Sequence, residues 1–345
     1  MNKVHTFDIE IDWKLISKIS IIDRFDASWS SIEKKEGQSL KQLKLIATVR
    51  SVGASTRIEG SMMSDSEVEV LLENMDIDKL EDRDSQEVAG HFEVFDLISE
   101  SADSINITEN SLKNLHNRLL KYSSKDQWHK GDYKQHSNSV EASLPDGTTK
   151  IVFETTPPGI ETEDAMNALI TWYKGDVETH PLVKCAIFTY EFVSIHPFQD
   201  GNGRLSRLVS SLLLLKNGYK WIQYMSLEHE IEHRKNEYYI ELRKCQAQRP
   251  GENITTWVFF FLNSLLNIQT QLLNKLERTG IEAKLSPREK SIIAFLADHP
   301  GSKSGAIASR LNIPNPTVKR LLKDLVTKNL IELFGSGPGT NYSVK

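Results

Sequence analysis

The tightest constraint on this chain is one string, His196-Pro197-Phe198-Gln199-Asp200-Gly201-Asn202-Gly203-Arg204, continued by Leu205-Ser206-Arg207. Leu205, Leu208, Val209 and Leu212 follow at helical spacing and predict an amphipathic helix over 205–215. Gly201-Asn202-Gly203 is then the turn that enters it. Unpaired N–H groups and the positive end of the helix dipole point out of such a turn, and glycine lets an anion come close to the backbone. Arg204 and Arg207, three apart, share one helix face. Together these residues form a polyphosphate cradle. Asp200 at its lip is a hard oxygen donor suited to Mg²⁺. His196 can take a proton from an attacking hydroxyl near neutral pH. Phe198 reads as a buried anchor for the loop. A Gly-Asn-Gly turn or a His-Pro pair alone is ordinary loop sequence; the whole string is not something packing asks for.

At these residues the chain resembles the Fic/DOC family, whose motif HPFx(D/E)GN(G/K)R it matches at every position, with the further arginine in place. Most members are protein adenylyltransferases, which move AMP from ATP to a hydroxyl side chain of a target protein. Glycine rather than lysine at Gly203 favours AMP transfer over the chemistry of Doc-type kinases. The resemblance implies His196 as catalytic base, Asp200 as the Mg²⁺ ligand, Gly201, Asn202 and Gly203 around the phosphates, Arg204 on the β-phosphate and Arg207 on the γ-phosphate. ATP as substrate and Mg²⁺ as cofactor come with it.

The segment Ser55-Thr56-Arg57-Ile58-Glu59-Gly60 precedes this core. By itself it is a helix running to a glycine stop, with Glu59 as a solvated charge. Ser55, Glu59 and Gly60 also match the family's inhibitory motif, (S/T)xxxE(G/N). The resemblance therefore implies that Glu59 pairs with Arg207 and occupies the place of the γ-phosphate. In some relatives the same glutamate helps water remove AMP, so AMP removal is an alternative activity.

Gly131-Asp132-Tyr133-Lys134 resembles the family's G-x-Y-R element, with lysine in place of arginine. Residues 139–156 read as a β-hairpin, with a turn at Pro145-Asp146-Gly147 and alternation through Lys150-Ile151-Val152-Phe153-Glu154. In the family such a flap holds the target by strand addition. Helices are expected over 88–98, 112–120, 161–174, 228–248 and 254–276, and from Pro181 up to His196. The resemblance places Asn236 and Tyr239, on the fourth of these, at the adenine. His91 and His116 read as structural or surface histidines, and no Cys/His spacing supports a zinc site.

The last segment changes character. Ser286-Pro287-Arg288-Glu289 is a capping box with proline at the first helical position. Asn315-Pro316 caps a third short helix, and residues 330–344 make a two-stranded wing. The pattern resembles a winged helix-turn-helix. Its local charge is basic, and Thr317, Lys319, Arg320 and Lys323 are placed to face a DNA groove; a protein-interaction module on the same fold is the alternative.

The expected fold is thus mainly α: a helical N-terminal region with the inhibitory helix (1–85), a Fic helical core with a β-hairpin flap (86–278) and a winged helix (279–345). The 345 residues carry a formal net charge of −5, which gives no global nucleic-acid signature. The two cysteines, Cys185 and Cys245, suit a reducing compartment. Residues 1–22 lack a signal-peptide core, and no apolar run is long enough to span a bilayer. A cytoplasmic enzyme follows, with a target protein along 139–156, DNA at the winged helix as a further partner, no membrane partner, and homodimerisation left open. A nucleotide-sensing transcriptional regulator is the alternative of another class.

Overall fold

The structure, a computed structural model, describes residues 2–76, 80–143, 149–283 and 285–345. It divides into two compact units, Met1–Thr270 and Gln271–Lys345.

The first unit opens with an antiparallel pair, β1 (Asn2–Val4) and β2 (Phe7–Ile9). Two long helices follow, α1 (Trp13–Lys35) and α2 (Gly37–Ile58). Asp12 starts α1 by accepting the Leu15 N–H at 2.8 Å. On α2, Leu40, Leu43, Ala47, Ala54 and Ile58 are buried at helical spacing. Next come α3 (Asp65–Glu73), started by a Ser64/Glu67 capping box, α4 (Arg83–Ser101) and α5 (Glu109–Leu119). The flap is β3 (Val140–Ser143) against β4 (Thr149–Phe153), antiparallel. The expected turn at Pro145-Asp146-Gly147 lies outside the described residues.

After the flap run α6 (Ile160–Gly175), α7 (Pro181–Ile195) and α8 (Asn202–Lys216). Helices α7 and α8 are buried almost all round, which makes them the centre of the unit rather than amphipathic surface helices. They pack on each other, and α8 also touches α4 and α2. The connection between α7 and α8 is the 196–201 stretch, so the most buried part of the fold holds the motif at both ends. Cys185 and Cys245 are buried free thiols.

The single helix expected over 228–248 is two: α9 (Leu227–His233) and α10 (Lys235–Gln246). The chain breaks at Arg234 (φ −108°, ψ 27°). No glycine or proline marks the break. Arg234 instead bonds Glu237 at 2.7 Å and Ser264 at 3.0 Å, and the bend lets α9 pack on α2. Helix α11 (Thr255–Ala283) starts in the first unit and crosses the division.

The second unit holds α12 (Pro287–Asp298), α13 (Ser304–Leu311), α14 (Asn315–Thr327) and an antiparallel pair, β5 (Ile331–Phe334) with β6 (Asn341–Val344). The Ser286/Glu289 capping box forms. Asn315 is not a cap: it is the first residue of α14, and no side chain caps that end. Ile292, Leu296, Ile307, Val318, Leu322 and Leu325 form the buried core. Three helices and a two-stranded wing make a winged helix-turn-helix. The fold is mainly α, as the sequence predicts.

Candidate active site

Helix α7 stops at His196, which adopts a left-handed conformation (φ 55°) while its N–H still bonds the Phe192 carbonyl at 3.0 Å. Its ring Nδ1 lies 3.1 Å from the Val193 carbonyl oxygen. A carbonyl only accepts, so Nδ1 carries the proton and Nε2 keeps its lone pair. Burial lowers the His196 pKa below the ordinary histidine value, and Lys134 adds to the effect against Val193, Glu59 and Asp200.

The loop after His196 is fixed from inside. Phe198 is fully buried and stacks on His116 at 3.8 Å between ring centroids. Asn202 Oδ1 accepts the Phe198 N–H at 2.9 Å, and its Nδ2 donates to the Phe198 carbonyl at 2.6 Å. The amide of Asn202 thus braces the loop while the residue lines the cavity beside it. His116 Nδ1 accepts the Gly131 N–H at 2.9 Å, so its Nε2 carries the proton and donates to the Asp200 carbonyl at 2.9 Å. Burial holds its pKa at about 4, which keeps this strut neutral.

Gly201 is the left-handed residue (φ 77°) that enters α8, and no side chain caps the helix there. The first N–H groups of α8 are thus left for another acceptor. They border a cavity of about 250 Å³ shared with His196, Asp200, Arg207, Tyr239 and the flap residues Val140 and Phe153. Asp200 is half-buried. Burial works against its charge, but Arg204 at 3.5 Å and Lys125 at 3.0 Å hold its pKa at about 2. Among the predicted residues it is the ionised hard donor.

The two arginines part company. Arg204 is buried away from the cavity, with its guanidinium 3.1 Å from Glu87. Arg207 reaches the cavity and is held by α2: Nε donates to Ser55 Oγ at 2.9 Å, and Nη2 donates to the Ser55 carbonyl at 2.9 Å and to Glu59 Oε1 at 2.8 Å. Burial raises the Glu59 pKa, but Arg207, with help from Arg204, brings it below the ordinary glutamate value, so the contact is an ion pair. A Cβ at Gly203 would lie well inside van der Waals contact with Glu59 Oε1. Gly203 is what lets the carboxylate come so close. His91 lies fully buried near both arginines. Burial, then Arg207 and Arg204, lower its pKa well below the ordinary value, leaving it neutral.

Of the two residues expected at an adenine, Tyr239 lines the cavity. Asn236 is exposed and does not. The break at Arg234 resets the helical phase of α10, and Asn236, which the resemblance places at the base, lies on the exposed side of its first turn.

Two lysines complete the site: Lys125, which no pattern in the sequence marks, and Lys134, the lysine of the G-x-Y-R-like element. Lys125 pairs with Asp200. Lys134 is buried, and its ammonium donates to Asn138 Oδ1 and Thr155 Oγ1 at 2.9 Å and to the Ile195 carbonyl at 3.1 Å. Burial lowers its pKa to about 8. Asn138 Nδ2 donates to the Phe198 carbonyl at 2.6 Å. The base of the flap is thereby tied to the motif loop. A larger groove, of about 820 Å³, lies by α1 and the end of α6, away from these residues.

The Fic/DOC family profile matches residues 106–214, the stretch that contains this geometry. The chain carries a Fic domain. The MarR family profile matches 283–337, within the winged unit. Among curated relatives, the protein adenylyltransferase Fic of Drosophila virilis is 26% identical over 312 residues, covering 86% of this chain and 59% of that protein. The protein of the same name from Aedes aegypti is 29% identical over 186 residues, covering 52% and 35%. The chain thus spans less than two thirds of the length of either. The solved structure of a Fic family protein from Desulfovibrio desulfuricans G20 superposes with a TM-score of 0.64 at 22% identity, covering all of this chain and 98% of that one, which bears on the fold.

Proposed function

We propose that the Fic domain is a protein adenylyltransferase, moving AMP from ATP to a Ser, Thr or Tyr hydroxyl of a target protein or of itself, with Glu59 as its inhibitor. The observation that carries this reading is one cavity bordered by the free Nε2 of His196, the uncapped start of α8 and the Arg207–Glu59 pair.

In this reading His196 Nε2 takes the proton of the target hydroxyl, whose oxygen attacks the α-phosphorus; the bond to the bridging oxygen breaks and pyrophosphate leaves. The N–H groups at the start of α8 stabilise the charge on the α-phosphate oxygens. Arg207 grips the γ-phosphate once Glu59 is displaced. Arg204 acts on the phosphates from behind Asp200, by charge rather than contact. Asp200 is the ionised oxygen donor at the cavity that is not paired with Arg207, a fit for Mg²⁺ carried in on a nucleotide and keeping most of its waters. Mg²⁺ there would offset phosphate charge. Val140 and Phe153 on the flap guide the target segment past His196, and Tyr239 packs against the base. With Glu59 on Arg207, the γ-phosphate is refused its guanidinium and the α-phosphate is misaligned.

The test is label transfer from α- or γ-labelled ATP by wild type and Glu59→Gly, alone and in lysate. The α label appears on protein, more strongly in the variant, and the γ label does not. No α label in either overturns the reading. AMP removal requires Glu59 and predicts the opposite: loss of label from a modified target by wild type but not by Glu59→Gly. A second reading, a nucleotide-sensing DNA-binding regulator, draws on the winged unit and its match to the MarR family. It predicts salt-sensitive DNA binding without any labelling.

A further inference from the structure

Glu59 sits one residue past the end of α2, and a separate group of side chains grips that end. Arg57, in the last turn, donates Nε to Glu232 Oε1 at 2.6 Å and Nη2 to Glu232 Oε2 at 3.0 Å. Arg57 has two further acceptors nearby: Asp65 at 2.9 Å and the Met63 carbonyl at 3.0 Å.

Glu232 does not stand alone on α9. His229 precedes it by three residues and His233 follows by one, so all three lie on one helical face. Each offers one ligand atom, and these atoms lie within 4.8 Å of one another. His229 Nδ1 is 3.5 Å from Glu232 Oε2 and makes no hydrogen bond among the described residues, although the atom is buried. His233 Nδ1 lies 3.1 Å from the His229 carbonyl, to which it donates, leaving Nε2 with its lone pair. A backbone carbonyl fixing one ring nitrogen is how metal-ligating histidines are commonly oriented. Two imidazoles and a carboxylate at these spacings are a donor set for Zn²⁺ with a fourth position open to water.

We propose that His229, Glu232 and His233 form a zinc site at the foot of the inhibitory helix, in which Zn²⁺ competes with Arg57 for Glu232. In the metal-free arrangement the carboxylate belongs to Arg57. Zn²⁺ draws it toward the two imidazoles, and Arg57 falls back on Asp65 and Met63. The ion-pair tie between α9 and the last turn of α2 is then lost, two residues from Glu59, and that end is left to Lys235, which donates to the Ile58 carbonyl at 2.8 Å. Arg50 and Arg57 are the cations facing the cluster, and Asp65 is the anion that offsets them. Two of the three donors are imidazole nitrogens, so Mg²⁺ does not substitute.

The experiment is a calorimetric titration of the tag-free full chain with zinc chloride in millimolar Mg²⁺, followed by amide hydrogen exchange. One equivalent binds. His233 is exposed, so His233→Ala spares the fold; it weakens binding at least tenfold. Arg57→Ala tightens it severalfold, because Glu232 loses its competitor. In wild type, zinc speeds exchange over 57–63, and in His233→Ala it does not. Equal zinc affinity in wild type and His233→Ala overturns the site. Binding without any change in exchange over 57–63 overturns the competition. Any effect on AMP transfer rests on the reading of Glu59 above, and the binding and exchange measurements decide the site without it.

Discussion

In the proposed transfer His196 can act as a base only while its Nε2 is unprotonated, and Val193 already holds the proton on the other nitrogen. Its pKa lies below the ordinary value because burial disfavours the imidazolium. The protonated ring, inert as a base, gains population only as the pH falls through that lowered pKa. Transfer by Glu59→Gly is therefore expected to lose rate toward acid with a midpoint below the ordinary histidine value. A kcat/KM profile with its acidic midpoint above the ordinary histidine value would contradict the environment described here. Gly203 makes a second, sharper point. Its missing Cβ is the space into which Glu59 fits. Gly203→Ala is expected to push Glu59 off Arg207, so that adding Glu59→Gly gains little further transfer. The double-mutant cycle measures this: full additivity would mean that Glu59 and residue 203 do not share that space.

The flap and α2 are elements whose placement depends on side chains far away in sequence. Asn138 ties the flap to the motif loop through the Phe198 carbonyl and, at 3.3 Å, the His196 carbonyl. Asn138→Ala frees the hairpin from the base while leaving the start of α8 untouched. Nucleotide affinity is expected to hold, and transfer to a protein target to drop on the order of a hundredfold, the usual consequence of misplacing reactants by about an ångström. A matching loss of nucleotide affinity, read with a fluorescent ATP analogue, would show that the flap orders the phosphate cradle instead. The same elements show what sequence patterning carries. Helical spacing reveals α7 and α8, and the glycines between them reveal the turn, because both signals are local. The Ser55–Arg207 and Glu59–Arg207 contacts follow from a motif match, not from periodicity. The Glu87–Arg204 pair and the Lys125–Asp200 pair have no local signal at all. Nor does the break at Arg234, whose cause is a partner on α11 thirty residues on. His229, Glu232 and His233 at i, i+3 and i+4 are by contrast a local pattern, and the break at Arg234 sets them on a short helix of their own.

For the whole chain, the question is whether the winged unit adds a second chemistry to the Fic domain. Its third helix, α14, buries Val318, Leu321, Leu322 and Leu325 and leaves Lys319, Arg320 and Lys323 exposed. Arg320 already shares its charge with Asp324 at 3.3 Å, an exposed pair that contributes little and is easily given up. Lys319 and Lys323 lie four apart on one exposed face of the helix that would enter a groove. The protein as a whole is acidic, so any attraction to DNA has to come from a locally basic surface such as this one. Binding of the full chain to duplex DNA is therefore expected to weaken steeply with salt, and Lys319→Glu with Lys323→Glu to reduce the slope of log K against log salt by about two or more. Both side chains are exposed on the unit that lacks the His196 string, so the same variant should transfer AMP at the wild-type rate. DNA binding that survives the double reversal would move the interface off α14 and leave the winged unit as a surface for protein.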